Sequence, residues 1–221
     1  MFTGIVEEVG QVARNQSSTY GLKLVIRAND IISQVPVGGS IAVEGVCLTI
    51  TAKTSEGFIA DVMPVTAAHT TLSLLQPGTF VNLERAMSAT GRFDGHMVTG
   101  HVDCTGEITT ITENGNAHLI QINIPATFSR YLVPQGSIAL DGISLTIVDI
   151  LPRAFLTSII PHTWSHTSIC HKHPGSRVNL EYDIIAKHVY HYLSQHAEQD
   201  NLLTSPAPGL SQALLKEHGF I

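Results

Sequence analysis

Apolar side chains occur in short runs along this chain, many alternating with polar ones. Clusters of Gly, Pro, Asn and Asp separate them. Leu22–Arg27, Ser40–Val43, Leu48–Thr51, Phe58–Val62 and Phe80–Arg85 read as strands. So do Leu119–Ile124, Ser137–Leu140, Leu145–Val148, Phe155–Ile160 and Arg177–Tyr182. Gly38-Gly39, Glu56-Gly57 and Gln76-Pro77-Gly78 mark turns. The segments after Pro64 (TAAHTTLSLL) and Pro161 (HTWSHTSICH) predict one short helical connection each. About six strands in every ~95 residues predict an all-β chain of two six-stranded antiparallel, Greek-key-like barrels in tandem. Past Asp183 the period changes. Ile184–Gln195 places Ile185, Val189, Tyr192 and Leu193 on one helical stripe. That helix has no domain of its own to close, so its stripe is expected to pack on another subunit.

The strand pattern is written twice. Residues 39–50 read GSIAVEGVCLTI and residues 136–147 read GSIALDGISLTI, with eight of twelve positions identical at an offset of 97. Pro64, Thr66, His69, Thr70, Pro77, Gly78, Asn82 and Glu84 recur at the same offset. Gly4-Ile5-Val6 is echoed by Gly100-His101-Val102, one residue out of step. A period this long marks a duplicated domain rather than a solenoid. The expected division is 1–96 and 97–183 for the barrels, 184–196 for an oligomerisation helix and 197–221 for a peripheral tail. Two like domains offer two like pockets, suited to two copies of one ligand.

Composition narrows the class. The 221 residues are 43% hydrophobic and only 14% charged, which supports packed cores and argues against disorder. Net charge is −6 and Lys and Arg do not cluster, so nucleic-acid binding is not expected. No apolar run is long enough for a membrane span, and MFTGIVEEVG lacks the features of a signal peptide. Cys47, Cys104 and Cys170 have no framework spacing and fit free thiols in a reducing cytoplasm.

The repeated corners are the first candidates for chemistry. Gly45 and Gly142 supply the bend. Cys47 and Thr49, like Ser144 and Thr146, then share one face at period 2. Placed on the inner barrel wall, such groups would be costly to bury without a ligand, and a planar polar ring would suit them. Cys47 faces Ser144 in the alignment of halves, so the pockets differ; a nucleophilic thiol and an inert buried one are both open. His96 and His101 lie in DGHMVTGHVDC. Imidazole moves protons near neutrality, and His101 stands where the first copy has Ile5. His162, His166, Cys170, His171 and His173 have metal-like spacing. Only His166 has a counterpart, His69, in the first half, and no CxxC or HExxH is present, so no metal is expected.

With these blocks the chain resembles the riboflavin synthase family of duplicated lumazine-binding barrels. The resemblance rests on MFTGIVEEVG, the GVCLT and GISLT corners, GHMVTGHVD, IPHT and VNLEYDIIAKHV, in order over nearly the whole chain. It implies a cytoplasmic enzyme that dismutates two molecules of 6,7-dimethyl-8-ribityllumazine without metal or redox cofactor. It implies a homotrimer with each active site between barrels of neighbouring subunits, and lumazine synthase as a candidate partner. Carried over, the ligand-binding stretches are Gly4, Ile5 and Val6; Cys47, Leu48 and Thr49; and Asp61, Val62, Met63, Pro64, Val65 and Thr66. In the second half they are Gly100, His101 and Val102; Ser144, Leu145 and Thr146; and Ile160, Pro161, His162, Thr163, Trp164 and Ser165. His101, Ser144, Cys47, Thr146 and Asp183 are the catalytic candidates. The chain departs from the family at Gln135, where Lys is frequent, at Val65 in place of a Glu, and at Glu44 in place of an Asn. A non-catalytic chromophore-binding protein of the same fold is the alternative function; it needs only one intact pocket.

Overall fold

The computed structural model describes residues 1–18, 21–203 and Lys216; the expected tail beyond Leu203 lies otherwise outside the described residues. Among the described residues, twelve strands build two closed antiparallel barrels. The first contains β1 (Glu8–Ser18), β2 (Gly21–Arg27), β3 (Ser40–Val43), β4 (Val46–Thr54), β5 (Gly57–Val62) and β6 (Phe80–Arg85). They pair in the order β1-β2-β5-β4-β3-β6, and β6 returns to β1. The second repeats this order with β7 (Cys104–Asn114), β8 (Ala117–Asn123), β9 (Ser137–Leu140), β10 (Ile143–Leu151), β11 (Ala154–Ile159) and β12 (Arg177–Tyr182).

Strands β1 and β7 carry no run that the apolar pattern marks. In β1, Gly10 and Val12 are buried while most neighbours stay at least partly exposed, so alternation is weak. A register shift between Val12 and Arg14 then breaks the period, and β7 shifts alike between Ile108 and Thr110. The other ten strands fall on the expected runs, with β4 and β10 longer at both ends.

Each barrel is filled by its own side chains. Leu24, Ile26, Ile41, Ile50, Phe58 and Leu83 pack in the first, and Ile108, Ile120, Ile122, Phe155, Ile159 and Tyr182 in the second. Glu44-Gly45 joins β3 to β4, and Asp141-Gly142 joins β9 to β10. All four residues have positive φ (48°, 76°, 46° and 81°), the two-residue hairpin turn that matches strand twist.

The connection to β6 begins with α1 (Pro64–His69) and continues as a 3-10 turn, Thr71–Leu74. Thr70 breaks the two. It is extended, donates its hydroxyl to the Thr66 carbonyl (2.7 Å) and accepts from the Leu72 amide (3.4 Å). The second half repeats this with α2 (Pro161–Ser165) and Ser168–His171. Proline at the first helical position suits both starts. Residues 87–100 cross between the barrels without forming a strand, and Phe2 bridges to Val98.

Asp183 caps α3 (Ile184–Leu203), its carboxylate accepting from the Ile185 amide at 2.8 Å. The helix continues past the expected end. Residues 1–186 form one compact unit containing both barrels, and the chain from Lys187 forms a second. No helix among the described residues is long and apolar enough to cross a membrane.

Candidate active site

The corner hydroxyls share one face, as period 2 requires, but it is the outer face. Val46, Leu48 and Ile50 turn into the first barrel; Thr49 is exposed and Cys47 half-buried. Leu145 and Ile147 turn into the second, leaving Thr146 exposed and Ser144 half-buried. The expectation of an inner-wall site is therefore corrected. A six-stranded barrel packed with Ile, Leu and Phe has no lumen for a ring, so ligand chemistry belongs on its outside. Leu48 and Leu145, expected at the ligand, have their side chains in the barrel cores.

What covers Cys47 and Ser144 is an exchange of arms. Glu84, on β6, binds the first arm: its carboxylate accepts from the Thr3 amide (2.6 Å), the Thr3 hydroxyl (2.8 Å) and the Gly4 amide (3.0 Å). Glu181, on β12, repeats this at Thr99 and Gly100, with distances of 2.7, 2.7 and 2.9 Å. Burial pushes the Glu84 carboxyl upwards, against the lowering pull of the Thr3 and Gly4 donors. Each arm then reaches the opposite barrel. The Ser144 amide donates to the Gly4 carbonyl (2.8 Å), and the Cys47 amide to the Gly100 carbonyl (2.9 Å). Val6 packs on the second core and Val102 on the first. Both arm glycines have positive φ and no room for a Cβ: one built on Gly4 would lie 2.6 Å from the Ser144 Cβ, and one on Gly100 2.5 Å from the Cys47 Cβ.

The exchange regroups the candidates. Cys47 and Thr49 go with Gly100, His101 and Val102. Ser144 and Thr146 go with Gly4, Ile5 and Val6. His101 and Ser144, read from sequence as belonging to one half, sit in different clusters. β5 runs antiparallel to β4 with Ile50 opposite Ala60, which leads Met63 and Pro64 alongside the Cys47 corner. Ile147 opposite Thr157 in the β10–β11 pair does the same for Ile160 and Pro161 beside Ser144. Val62 is core and Thr66, Thr163 and Trp164 are half-buried, whereas Asp61, Val65, His162 and Ser165 are exposed. Asp61 lies 3.9 Å from Lys23. Gln135 is exposed at a turn with φ 61°, where the first copy has Gly38.

Distance singles out His96. Its Nδ1 lies 2.7 Å from the Ser144 Oγ, and its ring is buried. Burial lowers its pKa, and the charge of nearby Asp183 opposes that shift without overcoming it. Burial thus favours the neutral imidazole, whose Nδ1 is in hydrogen-bond reach of the Ser144 hydroxyl and whose Nε2 is buried without a partner. Ser144 and His96 meet at one corner, within the influence of the Asp183 charge. Cys47 is half-buried, and His101 is exposed. Sequence points to His101, which stands in the place of Ile5, and gives His96 no role; the signal for His96 is that it has no repeat counterpart.

The metal-like run disperses. His162 stacks on His166 (4.2 Å), His171 stacks on Phe80 (4.3 Å), and the Cys170 thiol donates to the Thr167 carbonyl. Among the described residues no three His, Cys, Asp or Glu side chains converge as a ligand set. A cavity of about 510 Å³ opens beside the first arm, bounded by Thr3, Ile5, Ser40 and Arg85 among others; neither Cys47 nor Ser144 lines it. The two corner clusters are instead open shelves, with Met63, Val65 and Ile160 each more than half exposed.

Known proteins resemble this arrangement. The lumazine binding domain family matches twice, over residues 3–86 and 99–183. Riboflavin synthase of Bacillus subtilis is 43% identical over 220 residues, and that of Actinobacillus pleuropneumoniae 44%, each covering all of both chains. Among solved structures, LumP complexed with riboflavin superposes with a TM-score of 0.77 at 24% identity, covering 82% of this chain and 99% of that one. LumP complexed with 6,7-dimethyl-8-(1'-D-ribityl) lumazine gives 0.75 at 23%, with the same coverage.

Proposed function

We infer the reaction from one premise: the chain belongs to the lumazine-binding domain family and carries its module twice. It is a riboflavin synthase. Two molecules of 6,7-dimethyl-8-ribityllumazine react, a four-carbon unit passes from one to the other, and riboflavin and 5-amino-6-(ribitylamino)pyrimidinedione leave. The observation that carries this reading is full-length likeness to the synthases, joined to two equivalently built corners.

The residues suit the chemistry. The 7-methyl group of the lumazine is acidic because its ring system delocalises the anion, so a modest base suffices. Ser144, its proton accepted by neutral His96, is the group placed to take part in that transfer. Asp183 stabilises the imidazolium that results. Cys47, Thr49 and His101 offer donors and acceptors to the second ring. The remaining acceleration is proximity, since two rings held together replace a bimolecular encounter.

The shelves at Cys47 and Ser144 are too open to hold a ring alone. We assign their closure to a neighbouring copy in a homotrimer, the first barrel of one subunit facing the second barrel of the next. The free thiols fit a cytoplasmic enzyme. A chromophore-binding protein would need one such corner; here both keep their hydroxyls and their arms. The test is to mix pure protein with the lumazine, add no cofactor, and follow flavin absorbance. One riboflavin should appear for every two lumazines consumed; a bound but unchanged chromophore would favour the binding protein.

A further inference from the structure

The two hairpin turns meet at the pseudo-twofold between the barrels, and their carboxylates, Glu44 and Asp141, are both fully buried. Symmetric amides knit the turns together. Asn82 Nδ2 donates to the Asp141 carbonyl (2.9 Å) and Asn179 Nδ2 to the Glu44 carbonyl (2.8 Å). The Asn82 amide donates to Glu44 Oε1 and the Asn179 amide to Asp141 Oδ1, both at 2.7 Å. One element breaks the symmetry. Lys172 Nζ lies 2.9 Å from Glu44 Oε2 and 3.0 Å from Asp141 Oδ2. The matching position in the first half is Leu75. Lys172 follows the Ser168–His171 turn, which is seated on the first barrel. There the Ser168 hydroxyl donates to Glu44 Oε1 (2.8 Å), the Ser168 amide to Asn82 Oδ1 (2.6 Å), and His171 stacks on Phe80.

We propose that Lys172 is a positioning residue for both halves of the active site: its ammonium ties the two turns, and through them holds the Cys47 and Ser144 corners in fixed relation. Cys47 lies three residues past Glu44, and Ser144 three past Asp141, each on the strand that its turn starts. A group-transfer reaction between two bound rings depends on that relation, because misplacement of about 1 Å can cost a hundredfold in rate. Two fully buried carboxylates bridged by a largely covered ammonium are an uneconomical way to gain stability, since packed apolar residues of similar volume commonly serve as well or better. What the ammonium supplies is a directional link between two barrels, which a leucine such as Leu75 does not. The proposal rests on the riboflavin synthase reading.

The test compares Lys172→Met, Lys172→Arg and the uncharged triple variant Lys172→Met/Glu44→Gln/Asp141→Asn. Lys172→Met should lower kcat about tenfold or more while KM moves less than about threefold, and Lys172→Arg should recover most of the loss. The triple variant buries no charge and stands in should Lys172→Met fail to fold. It should melt near the wild type yet remain slow. A second readout needs no turnover. Alkylation mapped by peptide mass should speed at Cys47 in Lys172→Met and in the triple variant, but not in Lys172→Arg. A triple variant with wild-type kcat, or with unchanged Cys47 labelling, would overturn the positioning role. Wild-type protein that makes no flavin would instead refute the riboflavin synthase reading, and the labelling arm would still decide the role of Lys172.

Discussion

Gly45 and Gly142 meet head to head across the pseudo-twofold axis. A Cβ on Gly45 would lie 2.6 Å from the Gly142 nitrogen, and one on Gly142 would lie 2.9 Å from the Gly45 nitrogen. Backbone occupies the space that any side chain needs, and both residues have positive φ. Gly45→Ala and Gly142→Ala should each cost about 2–4 kcal/mol, by strain plus displaced packing. Gly78→Ala is the control: φ is 92° there but nothing lies within 4 Å of the added atom. It should cost only the conformational part, about 1–2 kcal/mol. Urea denaturation of the three variants checks the difference. Equal costs would show that the corners do not touch.

His96 and Ser144 should prove to act as one unit. Ser144→Ala and His96→Gln are each expected to lower kcat about a hundredfold, with riboflavin affinity nearly unchanged. The double variant should be little slower than either single one. His101→Ala, altering an exposed ring in the other cluster, should lose less than about tenfold. Steady-state kinetics with riboflavin titration decides; a His101→Ala enzyme slower than His96→Gln would return proton transfer to His101.

Asp141 predicts a pH dependence of stability. Burial raises its carboxyl pKa, the neighbouring Glu44 raises it further, and Lys172 pulls the other way. The folded chain therefore holds this proton more tightly than the unfolded chain. From the ordinary carboxylate range upwards towards neutrality, the contribution of Asp141 to stability falls as pH rises. Asp141→Asn keeps an acceptor for the Asn179 amide and tolerates φ of 46°. Melting temperatures at about pH 5 and about pH 8 should differ less in this variant than in the wild type. An unchanged difference would mean that Asp141 does not titrate in that interval.

The stripe of Ile185, Val189, Tyr192 and Leu193 is exposed on α3. Truncation before Ile184 should weaken both trimerisation and turnover. Sedimentation velocity beside the flavin assay measures the two, and a truncated chain that remains an active trimer would remove the helix from the assembly.

Flavin formation should survive exhaustive chelation. The expectation rests on His162, His166, Cys170, His171 and His173, no three of which converge as a ligand set. Activity lost to chelator and restored by zinc alone would reverse it.

The duplication, ten of the twelve strands and the two glycine corners follow from sequence alone, because period-2 burial and positive-φ turns are local constraints that leave residue-level traces. β1 and β7 left no such trace: mostly half-exposed, they owe their pairing to partners on both sides and their shape to a register shift. Sequence also determined that Cys47 and Thr49 share a face. It did not determine which face, because that depends on the Ile, Leu and Phe side chains that fill the barrel from other strands. Only the tertiary structure decided that Gly4 serves the Ser144 corner and Gly100 the Cys47 corner, and that His96 rather than His101 reaches Ser144. Lys172 likewise had no motif. Its two carboxylates lie 128 and 31 positions away along the chain; closure of the second barrel brings up Asp141 and docking of the first brings up Glu44, neither of which local periodicity encodes.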